Sequence, residues 1–376
     1  MRLKDILPVG FKANGVACGL KKSGKLDLAL IYSEFPAVAS AKFTTNSIIA
    51  APLIVCKKHL FRAKRFQAIL INSGNANAFT GKSGIKDAQA TADYTAGELK
   101  IAKNSVLVNS TGVIGRKLDI TKIKQAIPGL VAGLSSAGIH KAKKAIMTTD
   151  TFAKEAAISL KIGGKVIHIC GIAKGAGMIA PHMATMLCFI MTDADITKNA
   201  LNNALLSAVE KTFNCITVDG CMSTNDTVLA LANAAAGNIV ISGGKDLFSF
   251  SKALELICLK LAKMVVKDAE GATKFIQIDV CQAKDFNEAR KVALNIANSV
   301  LFKTAVFGED PNFGRVVAAV GASSIKIKEE RLKIKLGSLK GKQVKLMVNL
   351  SRGKAKATVF TSDLTCEYIK INAQYN

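Results

Sequence analysis

Residues 174–194 read KGAGMIAPHMATMLCFIMTDA, two unlike pieces joined at one point. Gly175, Gly177 and Pro181 punctuate the first piece as loop material. The second, Met186 to Met191, is an unbroken apolar run with the character of a strand buried on both faces. Thr185 stands at the junction. Threonine is a good β-former, so on local grounds a Thr opening a strand needs no further account. A chemical alternative exists. The Thr185 hydroxyl can attack the preceding carbonyl, that of Ala184, in a strained glycine-bearing loop. Hydrolysis of the resulting ester then frees the α-amino group of Thr185. An α-amino group has a pKa of roughly 8, so it can act as base for its own hydroxyl. Such a nucleophile needs no histidine, and the chain has only four: His59, His140, His168 and His182.

Other chemistries find less support. The histidines lack metal-ligand spacing, which argues against a zinc site or a Ser-His-Asp triad. The nine cysteines, Cys18, Cys56, Cys170, Cys188, Cys215, Cys221, Cys258, Cys281 and Cys366, are odd in number and dispersed, without a CxxC pair. That excludes a disulfide framework or a cysteine metal cluster and predicts mostly small buried hydrophobes in a reducing compartment. Gly81-Lys82-Ser83 ends a stretch similar to a phosphate-binding loop. The earlier glycine which that loop requires is replaced by Ala76, so the stretch is a near miss.

The elements that must position Thr185 alternate between strand and helix patterns. Strands are expected over 26–33, 67–72, 105–109, 156–160, 165–170, 186–192, 275–280 and 343–349. Helices are expected over 86–100, 200–213, 224–236, 245–267, 284–300 and 311–319. The helix near 224 takes Ser223 or Thr224 as cap and Gly237 as stop. The helix near 311 takes Asp310 as cap and Pro311 at its first position. Strands that are apolar throughout call for helices on both outer faces of an α/β fold. Past about 322 the chain becomes Lys-rich and poorer in Ala, so a smaller C-terminal domain begins between 275 and 322.

Composition bounds the class. The chain has 376 residues, 49% of them hydrophobic, enough for a large core. No apolar run has the length of a membrane span, and the N-terminal apolar stretch is too short for a secretory signal, so a cytoplasmic protein is expected. The net charge is +25. The basic residues are scattered and rarely interleaved with aromatics, which favours a solvated basic surface, or a general pull on anionic substrates, over specific nucleic-acid binding.

Seven further strings extend the pattern: INSGNANAFTG (71–81), NSTGVIG (109–115), IMTTDT (146–151), ITVDGCMSTNDTVLALAN (216–233), LAKMVVKDAEGATKF (261–275), KTAVFGEDPNFGRVVAA (303–319) and DLTCEYIKINAQY (363–375). Together with KGAGMIAPHMATML they resemble, in order and over essentially the whole chain, segments of the ornithine acetyltransferase (ArgJ) family. The resemblance implies a self-cleaving αββα-type sandwich of the ArgJ and DmpA kind, with a small C-terminal α/β domain. It implies a cut between Ala184 and Thr185, giving an α chain (1–184) and a β chain (185–376, with the smaller domain over about 280–376) that assemble as an α2β2 heterotetramer. The implied reaction moves an acetyl group from N-acetylornithine to glutamate through an acetyl-Thr185 intermediate, in arginine biosynthesis. No cofactor or metal is implied; some members also accept acetyl-CoA, and whether this chain does is left open.

Carried over by position, Thr185 is the nucleophile. The Thr111 hydroxyl and Gly112 backbone N–H form the oxyanion hole, a role that acyl transfer needs at each tetrahedral intermediate. Thr151, Lys174, Thr185, Glu270 and Asn372 bind substrate, Lys174 as a mobile point charge for a carboxylate. Taken singly, Lys174 reads as a loop lysine, Glu270 as an ordinary acidic group and Thr111 as a turn residue. The chain departs from the family pattern at Ala176 (usually Ser), His182 (Asn), Cys221 (Asp), Ala269 (Gly) and Phe313 (Trp). It ends at Asn376, short of a family Thr. Altered cleavage rate at His182 and altered substrate affinity at the terminus are the expectations. Two other classes stay open: a self-cleaving aminopeptidase or amidohydrolase of the related group, and a basic nucleic-acid-binding protein.

Overall fold

The computed structural model describes residues 7–180 and 186–374. The elements are β1 (Phe11–Val16), β2 (Leu28–Phe43), α1 (Ala51–Arg62), β3 (Phe66–Asn75), α2 (Gly81–Leu99), β4 (Val106–Val113), α3 (Ile120–Ala132), α4 (Ile139–Ala145), β5 (Lys154–Ile162), β6 (Lys165–Lys174), β7 (Leu187–Thr192), α5 (Lys198–Lys211), β8 (Thr227–Ala232), α6 (Gly244–Lys267), β9 (Phe275–Ala283), α7 (Phe286–Ala297), α8 (Val300–Phe307), α9 (Phe313–Gly321), β10 (Lys333–Leu336), β11 (Gln343–Asn349), β12 (Ala355–Ser362) and α10 (Cys366–Ala373). Two compact units contain them. The first takes residues 1–175, 185–209 and 223–261; the second takes 176–184, 210–222 and 262–376.

In the first unit eight strands join in the order β4-β3-β2-β8-β7-β6-β5, with β1 also on β2. The long β2 makes this possible. Its first half pairs antiparallel with β1 and β3, and its second half, from Val38, pairs antiparallel with β8. The ladder to β3 is irregular between Tyr32 and Ala37, where Pro36 offers no N–H. The strand thereby passes from one sheet layer to the other. Leu30, Ile69 and Ile71 of the first layer share one core with Ile172, Phe189, Met191 and Leu231 of the second. Outside the first layer lie α1 and α2: Cys56 Sγ bonds the Val108 carbonyl at 3.0 Å and His59 Nδ1 the Val106 carbonyl at 2.7 Å. Outside the second lies α6, whose Ile257 and Leu261 fit against Gly171 of β6 so closely that a Cβ there would meet Leu261 at 2.8 Å. The layering is an αββα sandwich.

The second unit holds a four-stranded sheet ordered β10-β11-β9-β12, with β9 and β11 parallel and the other pairs antiparallel. Its core joins Ile276, Ile278, Val344, Leu346 and Val359 to Val292, Ile296, Phe302 and Val316 of α7, α8 and α9.

Two sequence expectations are corrected here. Residues 224–236 do not form a helix: Thr227–Ala232 is β8, and all six of its residues are buried. Leu and Ala favour helix in isolation, but a short, wholly apolar run is equally a strand buried on both faces, and the slot between β2 and β7 decides it. The helix expected at Pro311 starts two residues later, at Phe313, with Asn312 rather than Asp310 as the N-cap. Strand β7 matches its expected range closely and is fully buried.

Candidate active site

In the first unit, β3 and β4 run parallel with their ends side by side, Ser73 opposite Thr111 and Gly74 opposite Gly112. Gly112 has φ +131°, and a Cβ on it would lie 2.4 Å from the Gly74 carbonyl carbon, so no other residue fits. Thr111 is buried, and its Oγ1 accepts a hydrogen bond of 3.2 Å from Lys174 Nζ at the end of β6, itself only 3% exposed. An ammonium can only donate, so the Thr111 oxygen is the acceptor and its own hydrogen is directed elsewhere. The sequence-predicted residues Thr111, Gly112 and Lys174 are thus brought together, Thr111 and Lys174 from positions 63 residues apart in the chain.

Asp150 completes the group, and sequence reasoning missed it although it lies inside the string IMTTDT. Its carboxylate accepts from Gly175 N–H at 2.7 Å, Thr148 N–H at 2.9 Å and Lys154 Nζ at 2.6 Å. Burial alone would raise its pKa. The charges of Lys174 and Lys154 and the Gly175 N–H outweigh burial and bring it down to about 2. Asp150 therefore stays ionised and anchors the backbone just after Lys174. Its neighbour Thr151 is exposed. Lys21 also reaches this region, donating to the carbonyls of Leu26 and Met147 at 2.8 Å each. Burial lowers its pKa to about 8, against a raising pull from Asp27. Asn109, two residues before Thr111 and on the same face of β4, is buried with neither amide atom bonded among the described residues.

In the second unit, Glu270 and Asn372 meet: Asn372 Nδ2 donates to Glu270 Oε2 at 3.0 Å, and Glu270 is 8% exposed. Gly177 leaves room for that carboxylate, since a Cβ there would fall 2.2 Å from Glu270 Oε2. Glu270 N–H donates to the Ala176 carbonyl at 3.0 Å. Asp219, from VDGC, holds the same loop by accepting from Met178 and Ile179 N–H at 2.7 and 2.9 Å and from the Tyr368 hydroxyl at 3.1 Å. It too escaped sequence reasoning, because an Asp in a glycine-bearing turn carries no mark of a long-range role. Ala184, Thr185 and His182 lie outside the described residues.

All nine thiols are free, and burial pushes Cys56 and Cys215 up to about 12, far from a reactive thiolate. No helix among the described residues is long and apolar enough to cross a membrane.

Known proteins are similar to this sequence. The ArgJ family profile matches residues 12–376. The arginine biosynthesis bifunctional protein ArgJ of Geobacter sulfurreducens is 44% identical, over 97% of this chain and 98% of its own length. The glutamate N-acetyltransferase of Methanocaldococcus jannaschii is 44% identical, over 98% and 97% respectively. Among solved structures, an ArgJ protein from Bacillus halodurans is 35% identical with a TM-score of 0.45, covering 50% of this chain and 94% of its own. With a family profile over nearly the whole length and relatives of 44% identity from end to end, the chain belongs to the ArgJ family.

Proposed function

We propose that the protein is a cytoplasmic acetyltransferase of arginine biosynthesis that moves acetyl from N-acetylornithine to glutamate, after cutting itself between Ala184 and Thr185 into an α chain (1–184) and a β chain (185–376). Membership of the ArgJ family and the names of the relatives support the reaction. The observation that carries the site is the buried pairing of Thr111 with Lys174 beside Gly112.

In the proposed cycle the free amine of Thr185 takes the proton of its own hydroxyl. The hydroxyl oxygen attacks the acetyl carbonyl, and the oxyanion is met by the Thr111 O–H and Gly112 N–H. Collapse expels ornithine, which leaves with a proton, and the acetyl group stays on Thr185 as an ester. Glutamate then attacks that ester by the same steps in reverse. Transfer between two amines of similar basicity is nearly balanced, so the ester can pass the group either way. Both amino acids bind in turn, with Lys174 holding the carboxylate they share and Thr151, Glu270 and Asn372 proposed as further substrate-binding residues. The assembly proposed is α2β2, with no cofactor, and acetyl-CoA is the second donor to be tested.

The test mixes N-acetylornithine with purified protein, with and without glutamate. Transfer to glutamate, and acetyl trapped on Thr185 when glutamate is omitted, are the expected results. Acetate release into water as fast as transfer would instead identify a hydrolase of the related self-cleaving group. Cleaved protein that does neither would end the substrate assignment.

A further inference from the structure

The turn 223–226 is held by backbone bonds from Thr44 N–H to the Asp226 carbonyl and from Ala50 N–H to the Thr224 carbonyl, each 3.0 Å, and by a larger set of side-chain hydrogen bonds. Ser223 Oγ accepts from Asn225 N–H at 3.0 Å, and Thr44 Oγ1 donates to the Ser223 carbonyl at 2.8 Å. Asn225 Nδ2 donates to two backbone carbonyls, Ala76 at 2.7 Å and Ser110 at 2.8 Å, while its Oδ1 accepts from Thr224 Oγ1 at 2.6 Å. Asp226 is fully buried. Its Oδ1 accepts from Met186 N–H at 3.2 Å, and its Oδ2 has no hydrogen-bond partner among the described residues. Thr227 N–H then donates to the Met186 carbonyl at 3.1 Å.

These partners are not scattered. Ser110 is the residue before Thr111, so its carbonyl carbon is bonded to the Thr111 nitrogen. Met186 N–H belongs to the peptide unit whose carbonyl is that of residue 185. One dipeptide therefore grips the peptide unit on each side of the proposed chemistry. We propose that Asn225 and Asp226 are positioning residues for acyl transfer: Asn225 sets the Ser110 carbonyl that leads into the oxyanion donors, and Asp226 sets Met186 N–H, the backbone group that follows the proposed nucleophile in sequence. This rests on Thr185 being the nucleophile. A full complement of bonds on Asn225 explains why an amide and not an acid stands there, since both its amide hydrogens are given to carbonyls that a carboxylate could not satisfy. Burial pushes the Asp226 carboxyl well above the usual carboxylate range, against the pull of Met186 N–H, Thr44 and Lys174. Its neutral form keeps the accepting oxygen that Met186 requires.

The experiment follows self-cleavage by denaturing mass spectrometry over time and transfer kinetics per cleaved chain. It uses Asp226→Ala, Asp226→Asn, Asn225→Ser and Thr185→Ala, with thermal unfolding to confirm each fold. Misplacing reacting groups by about 1 Å costs about 10²-fold in rate. Asp226→Ala and Asn225→Ser are expected to lose about that much in kcat with KM changed by less than about twofold. Asp226→Asn, which keeps an accepting oxygen, is expected to recover at least about tenfold of the loss in Asp226→Ala. If Asp226→Ala does not fold, Asn225→Ser carries the same prediction. Parent-like kcat in folded Asn225→Ser or Asp226→Ala overturns the proposal. So does a loss in Asp226→Asn equal to that in Asp226→Ala, which would make Asp226 a proton-transfer group. Failure of the underlying reading looks different: an uncut parent, or a Thr185→Ala protein that still transfers acetyl.

Discussion

At the scale of single residues, the Thr111 and Lys174 pair limits what each can do. Lys174 donates to Thr111 Oγ1, which polarises the hydroxyl and leaves its hydrogen for the proposed oxyanion. Thr111→Ala removes that donor and is expected to slow both self-cleavage and transfer by about 10²–10³, or roughly 3–4 kcal/mol of barrier. An unchanged transfer rate in folded Thr111→Ala protein would put the oxyanion hole elsewhere. Asp150 makes a second, pH-dependent prediction. Its folded pKa, about 2, lies below its ordinary value of 3.8. The unfolded chain therefore binds the proton more readily between those values. The stability Asp150 contributes is present above about pH 4 and is lost as pH falls towards 2, on the order of 2 kcal/mol in all. Unfolding free energies of the parent and Asp150→Asn, measured from pH 6 down to 2, should converge across that window. A gap that stays constant would show that the carboxylate is not held by Lys174 and Lys154.

At the scale of elements, the proposed cut has an unusual setting. It falls between β6 and β7, neighbours paired antiparallel from Ile169 opposite Thr192 to Lys174 opposite Leu187. In the sheet order β2-β8-β7-β6, the two strands of the C-terminal fragment sit between strands of the N-terminal one. Separating the fragments would break the β2–β8 and β6–β7 ladders and open the core shared by Phe189, Met191, Leu30 and Ile69. The protein is expected to show two masses under denaturing conditions, split after Ala184, yet to elute natively with both fragments together. Fragments that part in native buffer would contradict this sheet order. Thr185→Ala, lacking the oxygen that starts the acyl shift, should remain one chain.

For the whole molecule, the charge of +25 is the property that no site explains. Some of the lysines are internal: Lys154 is fully buried against Asp150, a pair with no net charge, and Lys303 is buried with its ammonium on the Thr361 hydroxyl at 3.0 Å. The remainder gives a long-range attraction for anions, which suits carboxylate substrates and also nucleic acid. Binding to DNA or RNA is expected to be weak, indifferent to sequence and steeply weakened by salt, as counterion release demands. Fluorescence anisotropy with two unrelated duplexes, at 50 and 200 mM salt, tests this. Tight binding that survives the higher salt and prefers one duplex would favour the nucleic-acid alternative.

What the sequence determined by itself was local or carried whole in a string. The apolar run Met186 to Met191, the helix over 245–267 and the strands over 275–280 and 343–349 were legible because side-chain periodicity and length act within one element; that the last two pair in parallel, as β9 and β11, was not. Thr111, Gly112, Lys174, Glu270 and Asn372 were singled out only as parts of strings that match a family, since each taken alone is an ordinary residue. Tertiary structure decided the rest. TVLALA became β8 because a slot flanked by β2 and β7 demanded a strand, and the preference of Leu and Ala for helix is worth less than burial on both faces. Asp150, Asp219, Asn225 and Asp226 gained their roles from partners up to 149 residues away. A carboxylate or amide announces in sequence that it can bond, but not to what. Its partner is chosen when the fold removes water and leaves each buried polar group one place to go.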